Sequence, residues 1–187
     1  TIAAAGSAFA GGQVSDDVIA TQRSALATET AGKGYGPQSP RDIDTLSGAN
    51  ARVFGAAPAR EDMNLCNIHF HKNAEHKGGE FSAHAGNGDG KGYGTGYVYS
   101  GQLTDAERAP LDGPVADHGH GGLAPGDTIE VHYVHTTAKV TPGPTPGACL
   151  DDWVGNPLSR VETQVYVLVT DEATRDFGAL RKGEIRD

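Results

Sequence analysis

The stretch Asn67-Ile68-His69-Phe70-His71-Lys72-Asn73-Ala74-Glu75-His76 decides how the rest of the chain is interpreted. Residues i and i+2 of a β-strand point to the same face, so a strand here would project His69 and His71 into one space. Ile68 and Phe70 would then point the other way, into a core. Two neutral imidazoles on one rigid strand can supply two ligands of a metal ion.

A second predicted strand offers a third ligand. Residues 128–135 have the best β-propensity in the chain, and the turn signal Pro125-Gly126-Asp127 precedes them. If His132 joins the first pair, three imidazoles leave a fourth tetrahedral position for water, as in catalytic rather than structural zinc sites. Asn67 and Glu130 each precede a histidine by two residues on the same face. Each could accept the second ring N–H of that histidine, which fixes its tautomer.

Length and composition favour one mainly β domain over residues 1–187. The chain has 27 glycines and 10 prolines with few aromatic residues, so we expect a mostly antiparallel central sheet and few short helices. Residues 1–34 are predicted to be a flexible segment plus a short peripheral helix. Ser15 is the expected N-cap residue of this helix. Residues 51–54 and 97–102 are further candidate strands, and residues 161–169 are expected to be the central one.

Charge and hydropathy exclude some classes of partner. The formal net charge of −9 argues against a nucleic-acid binder, and no apolar run is long enough to span a membrane. Cys66 and Cys149 form no Cys-x-x-Cys pair, so they are either one disulfide of an exported protein or two buried thiols. We expect the disulfide and a secreted or periplasmic location. The oligomeric state, monomer or homodimer, stays open.

Three patches, in this order along the chain, resemble the α class of carbonic anhydrases: Gln38-Ser39-Pro40-x-Asp42-Ile43, the opening stretch, and Glu130-Val131-His132-Tyr133-Val134-His135. The compact spacing beside Cys66 and the short chain are closer to the δ class. The resemblance implies a shortened α-carbonic-anhydrase fold and a lyase that hydrates CO2 reversibly to bicarbonate and a proton. It implies a zinc-bound hydroxide on His69, His71 and His132, and Co²⁺ or Cd²⁺ could replace the zinc.

The resemblance also suggests roles for neighbouring residues. Asn67 and Glu130 would support His69 and His132 from behind. Glu75 would orient a threonine hydroxyl beside the zinc-bound hydroxide, and Val134 would form an apolar wall for CO2. Two further histidines, His76 and His135, would be structural, buried and hydrogen-bonded.

The remaining histidines are candidates for carrying the proton that CO2 hydration releases, and one α-class segment is missing from the chain. His84, His118 and His120 lie in polar stretches and are candidate proton carriers, with His118 and His120 better placed on a glycine-rich loop. The Leu-Thr-Thr-Pro segment of the α class is missing, and residues 150–157 read Leu-Asp-Asp-Trp-Val-Gly-Asn-Pro. The threonine that Glu75 would orient is therefore lost or replaced, which favours the shortened δ class.

Two other interpretations remain. In a cupin, a small metal-binding β-barrel, His69, His71 and Glu75 would all bind the metal together with a later histidine, and the metal could be iron or manganese. Alternatively, the chain could be a carbonic-anhydrase-like binding domain without catalysis.

Overall fold

The computed structural model describes residues 13–33, 43, 55–113, 115–116, 122–151 and 157–171. These residues form one α-helix, five strands and two short 3-10 helices, so the predicted mainly β fold with few helices is confirmed. The elements are α1 (Asp16–Thr30), β1 (Asn64–Lys72), β2 (Ala83–Asn87), β3 (Thr95–Val98), β4 (Thr128–Thr136) and β5 (Ser159–Val167), with the 3-10 helices at Arg60–Asp62 and Pro146–Cys149. Residues 38–42 of the first motif and the candidate strand 51–54 lie outside the described residues.

Three antiparallel strands form the main sheet in the order β1-β4-β5. Their register places His69 opposite His132 and His71 opposite Glu130. We predicted the last long strand to be central, but in the described part of the sheet that position belongs to β4, and β5 lies outside it. Burial explains the order, since seven of the nine residues of β4 are buried whereas β5 keeps alternate residues exposed in its first half.

The second face of β1 differs from its prediction. Ile68 is 48% exposed and Phe70 is 46% exposed, so neither side chain is in the core. Both line an open cleft with Tyr93 and Leu123 on its walls. Two apolar residues of the central strand are buried on this side of the sheet: Val131, which lies opposite Phe70, and Ile129, which lies opposite Lys72. The alternation of β1 was therefore predicted correctly, but the surroundings of its apolar face were not.

The N-terminal helix packs at the periphery, as predicted. Ser15 is its N-cap residue, and none of its residues is buried. The turn of the β2–β3 hairpin holds the segment that enters the helix: Val14 N–H donates to the Gly88 carbonyl at 2.9 Å, and the Asn87 amide donates to Asp16 at 2.7 Å. The Gln22 side chain adds a hydrogen bond to the Gly90 carbonyl at 2.8 Å. No helix among the described residues is long and apolar enough to cross a membrane.

A disulfide joins Cys66 of β1 to Cys149 at the end of the second 3-10 helix. Of the two alternatives for the cysteines, the structure therefore has the disulfide. Cys66 and Cys149 form a small buried cluster with Val134, and Val140 packs against it. The cluster lies beside Asn67, so the bridge attaches the loop after β4 directly to the strand that carries His69 and His71.

Candidate metal centre

Three histidines converge on one point between β1 and β4. The ring centroids of His69, His71 and His132 are 5.1, 4.9 and 5.0 Å apart, close to an equilateral triangle. One nitrogen of each ring lies within 4.8 Å of the others. The i,i+2 spacing places His69 and His71 on one face of β1, and the antiparallel register brings His132 directly across from His69. The cluster could hold a metal ion.

Asn67 determines which nitrogen of His69 faces the centre of the triangle. Its side chain is buried, and its amide nitrogen donates to the Gly143 carbonyl at 2.9 Å. The amide oxygen is therefore the atom that contacts His69 Nδ1 at 2.5 Å. An amide oxygen only accepts hydrogen bonds, so Nδ1 carries the proton and Nε2 keeps a free lone pair.

Glu130 determines which nitrogen of His132 faces the centre of the triangle, and it does so through its carboxylate. Its side chain is 1% exposed. One oxygen accepts from His132 Nε2 at 2.7 Å, and the other accepts from the Glu75 backbone N–H at 2.6 Å. The proton of His132 is therefore on Nε2, and Nδ1 has the free lone pair.

The two free lone pairs face each other. His69 Nε2 and His132 Nδ1 are 3.2 Å apart, and neither has a proton to share when both rings are neutral. Adjacent nitrogens on a tetrahedral zinc with bonds of about 2.05 Å would be separated by about 3.3 Å. Two lone pairs at this distance repel unless a cation lies between them, so both the donor set and the spacing fit a metal ion.

The partial burial of His69 also favours the form of its ring that can bind a metal. Desolvation lowers the pKa of His69 below its usual value, and the nearby His132 and His71 lower it further. The neutral imidazole is thereby favoured, and only a neutral imidazole can bind a metal. Protons therefore compete with a metal for His69 less than they would for a histidine with the usual pKa.

Glu75 lies beside this triangle. Its carboxylate is 3.6 Å from His71 Nε2 and is partly exposed. Among the described residues, the second group of possible ligands contains Glu75 with Glu130 and His132, whereas the three-histidine group does not include it. The role predicted for Glu75, orienting a hydroxyl, stays a prediction.

The open cleft that Ile68 and Phe70 line has a volume of about 620 Å³ and extends to His69 and His71. His69, His71 and Glu75 line it, and so do Ala116 and Gly122, which flank the segment with the two candidate proton carriers. His118 and His120 themselves lie outside the described residues. The third candidate, His84, lies on β2 with its ring centroid 5.5 Å from that of Tyr97.

The remaining predicted residues have mixed outcomes. Val134 shares the face of His132 but packs against the disulfide, and its role as a wall for CO2 stays a prediction. His135 is buried as expected, yet its Nδ1 has no hydrogen-bond partner in the part of the chain that the structure describes. His76 is not buried: its side chain is 36% exposed, with Nδ1 3.9 Å from Glu130.

The contact between Gly143 and Asn67 is a feature of the site that the sequence did not reveal. Its carbonyl orients the Asn67 amide, but it lies 76 residues further along the chain in a loop of prolines, glycines and threonines. A backbone carbonyl leaves no signature in the residue type. Only the fact that Cys149 lies six residues later in the same loop pointed to this region.

Comparison with known proteins agrees with this geometry. A family model described as Delta carbonic anhydrase matches residues 60–187. The matched range contains all three histidines and both cysteines, and it begins after the Gln38–Ile43 motif. No curated protein and no solved structure matches the chain.

Proposed function

The chain belongs to the delta carbonic anhydrase family, and from this premise we propose that it hydrates CO2 reversibly to bicarbonate and a proton at a zinc ion. The observation that carries the proposal is the convergence of His69, His71 and His132 on one point, with two lone pairs 3.2 Å apart. His69, His71 and His132 would hold the zinc. When bound, zinc supplies Lewis acidity that lowers the pKa of a water ligand to about 7 and so provides hydroxide near neutral pH.

The residues around the triangle hold its geometry in place. Asn67 and Glu130 keep the protons of His69 and His132 on the outward nitrogens. The proposed role of Glu75 is to accept a hydrogen bond from the group that attacks CO2 and so orient its lone pair; its position beside His71 in the cleft supports this role. Val134, on the same face as His132, is proposed as part of an apolar wall against which CO2 lies.

The proton released by each turnover has to reach solvent, and His118 or His120 is proposed to carry it. Ala116 and Gly122 line the cleft, and Leu123 N–H donates to the Val115 carbonyl at 2.7 Å. Both ends of the intervening segment are therefore anchored beside the histidine cluster. Replacing His118 and His120 by alanine should slow turnover in weak buffer, and imidazole should restore it. His84→Ala is the matched control, and equal rates for all variants would contradict shuttling from this segment.

Stopped-flow CO2 hydration and metal analysis test the function. The protein loaded with Zn²⁺ should hydrate CO2, and removal of the metal with a chelator should abolish the activity. Co²⁺ or Cd²⁺ should restore activity to the stripped protein. His132→Ala should lose both the metal and the activity. Bound zinc without hydration would indicate a non-catalytic binding domain.

The cupin interpretation makes a different prediction about the metal. It requires Glu75 to bind the ion together with His69 and His71, and it expects iron or manganese. Glu75 is not part of the group that His69, His71 and His132 form, and this supports the carbonic anhydrase. Oxygen consumption by an iron-loaded protein would reverse that preference.

The disulfide is compatible with an exported protein, and a secreted or periplasmic location is proposed on that ground.

A further inference from the structure

We propose that residues 140–149, here called the Gly143 loop, position the metal site through the Asn67 amide. In this proposal the Gly143 carbonyl fixes the orientation of the amide, and the amide then fixes the tautomer of His69. The disulfide holds the loop in the position from which Gly143 can do this. The inference rests on the metal site proposed above, but it concerns metal binding and does not depend on which reaction follows.

The orientation of an asparagine amide has opposite consequences for a neighbouring imidazole. With its oxygen toward His69, Asn67 accepts the Nδ1 proton and leaves Nε2 free for a metal. With its NH2 group toward His69, Asn67 would need an acceptor at Nδ1, and the proton would move to Nε2. The second arrangement blocks the nitrogen that faces His132. The two states of Asn67 therefore correspond to a competent and an incompetent His69.

The Gly143 carbonyl selects between these states. A carbonyl can only accept, and it lies 2.9 Å from the Asn67 amide nitrogen. Rotation of the amide would place its oxygen against the Gly143 oxygen, which is unfavourable in this site because Asn67 is only 2% exposed. No histidine or carboxylate is needed for the selection, since one backbone oxygen suffices.

Two attachments hold Gly143 in place, and both end on Cys66, the residue before Asn67. The Gly143 N–H donates to the Cys66 carbonyl at 3.0 Å. The Cys66–Cys149 disulfide fixes the end of the loop, and both of its cysteines are buried. A covalent bond therefore connects the loop to the strand next to the residue whose amide it orients.

The loop offers a matched pair of glycines for a test. A Cβ added at Gly143 would lie 2.7 Å from the Ala148 Cβ, so Gly143→Ala must shift the loop. A Cβ added at Gly147 meets only Thr145 Oγ1, at the ordinary contact distance of 3.5 Å. Gly147→Ala therefore changes the same loop by the same atoms without displacing the Gly143 carbonyl.

Zn²⁺ affinity, measured by competition with a chelator, should fall about tenfold in Gly143→Ala and change less than about twofold in Gly147→Ala. Nitrogen-15 NMR of the metal-free protein should show His69 protonated on Nδ1 in the wild type. The same spectrum of Gly143→Ala should show a mixture of tautomers. Equal affinities and equal tautomers in the two alanine variants would overturn the proposal.

Asn67→Asp provides the rescue that a merely structural role would not give. A carboxylate accepts from His69 in either orientation, so its effect on the tautomer does not depend on Gly143. Its second oxygen faces the Gly143 carbonyl and weakens this background by itself, so every effect is measured relative to Asn67→Asp. In the Asn67→Asp background, Gly143→Ala should therefore cost no affinity. A loss of the same size in both backgrounds would mean that the loop acts on general stability, and the proposal would be wrong.

If Gly143→Ala does not fold, a variant without the disulfide tests the same step. Cys66→Ser combined with Cys149→Ser releases the loop without touching Gly143. This variant should lose Zn²⁺ affinity and show mixed His69 tautomers, whereas in the Asn67→Asp background the same two substitutions should cost no affinity and leave His69 protonated on Nδ1. Unchanged affinity would overturn the proposal, whereas absence of CO2 hydration in all variants would contradict only the proposed function.

Discussion

Glu130→Gln is the sharpest test of how the metal site is built, because it removes one acceptor and one negative charge but keeps the shape of the side chain. The Glu130 carboxylate accepts from His132 Nε2 at 2.7 Å and from the Glu75 backbone N–H at 2.6 Å. Glutamine has nearly the same shape but only one oxygen, and its NH2 group is a donor. It can satisfy His132 or Glu75, but not both.

The size of the effect follows from the two orientations of the new amide. If the oxygen faces His132, the NH2 group faces the Glu75 N–H, and a hydrogen bond to a charged acceptor worth about 1.5–3 kcal/mol is lost. If the NH2 group faces His132, the ring must accept at Nε2 and carry its proton on Nδ1, the nitrogen that faces His69. Metal affinity then falls about 10–100-fold, which corresponds to about 1.4–2.7 kcal/mol. Glu130 is 1% exposed, so water cannot replace the missing acceptor.

Urea unfolding of the metal-free protein and chelator competition for Zn²⁺ separate the two outcomes. The first orientation lowers stability, and the second mainly lowers metal affinity. Glu162→Gln is the matched control on β5: its carboxylate is 25% exposed and pairs with Arg160 at 3.0 Å and Arg60 at 3.6 Å. Pairs of this kind contribute up to about 1 kcal/mol, and none of these partners is a metal ligand. If Glu130→Gln behaves like Glu162→Gln in both measurements, Glu130 does not hold His132.

Two further predictions concern stability. Reduction of the Cys66–Cys149 disulfide should lower the free energy of unfolding by up to about 4.5 kcal/mol, the chain-entropy value for a sequence separation of 83 residues, and equal urea midpoints with and without reductant would refute this. The backbone N–H groups of Lys91 and Tyr93 hold the pKa of Asp89 below its usual value. The stabilisation by Asp89 is therefore present above the pKa of the unfolded chain and is lost as the pH falls through the folded pKa. Asp89→Asn should remove that acid dependence, and unchanged slopes of stability against pH would contradict the assignment.

The candidate metal centre was predictable because strand geometry is local and periodic. His71 follows His69 by two residues and therefore lies on the same face of the strand, and the same spacing places Glu130 on the face of His132. The pairing of the two strands is not local, yet their antiparallel register brings His132 opposite His69. The periodicity therefore determined which side chains could meet, and the family resemblance supplied the pairing.

The exposure of each strand face and the order of the strands could not be predicted, because both depend on what surrounds each strand. Ile68 and Phe70 alternate with the histidines as core residues would, but the structure leaves them in an open cleft. Strand β5 has the β-branched alternation expected of a central strand, but the central position belongs to β4. Alternation specifies two faces and does not specify what covers each face. That depends on loops distant in the sequence, as the contact between Asn67 and Gly143 also shows.

Glu75 separates the two metal-site hypotheses on physical grounds. A cupin-like site would need its carboxylate to complete a set begun by His69 and His71. In the structure, the Glu75 backbone N–H instead donates to Glu130, which also accepts from His132. The group of possible ligands that contains His69 and His71 is completed by His132 from the neighbouring strand. Three neutral imidazoles leave the full charge of a bound cation uncompensated, whereas a fourth ligand with negative charge would weaken its Lewis acidity. Keeping Glu75 beside the triangle and outside it is therefore the arrangement that favours hydration chemistry, and a Zn²⁺ coordinated by Glu75 would contradict it.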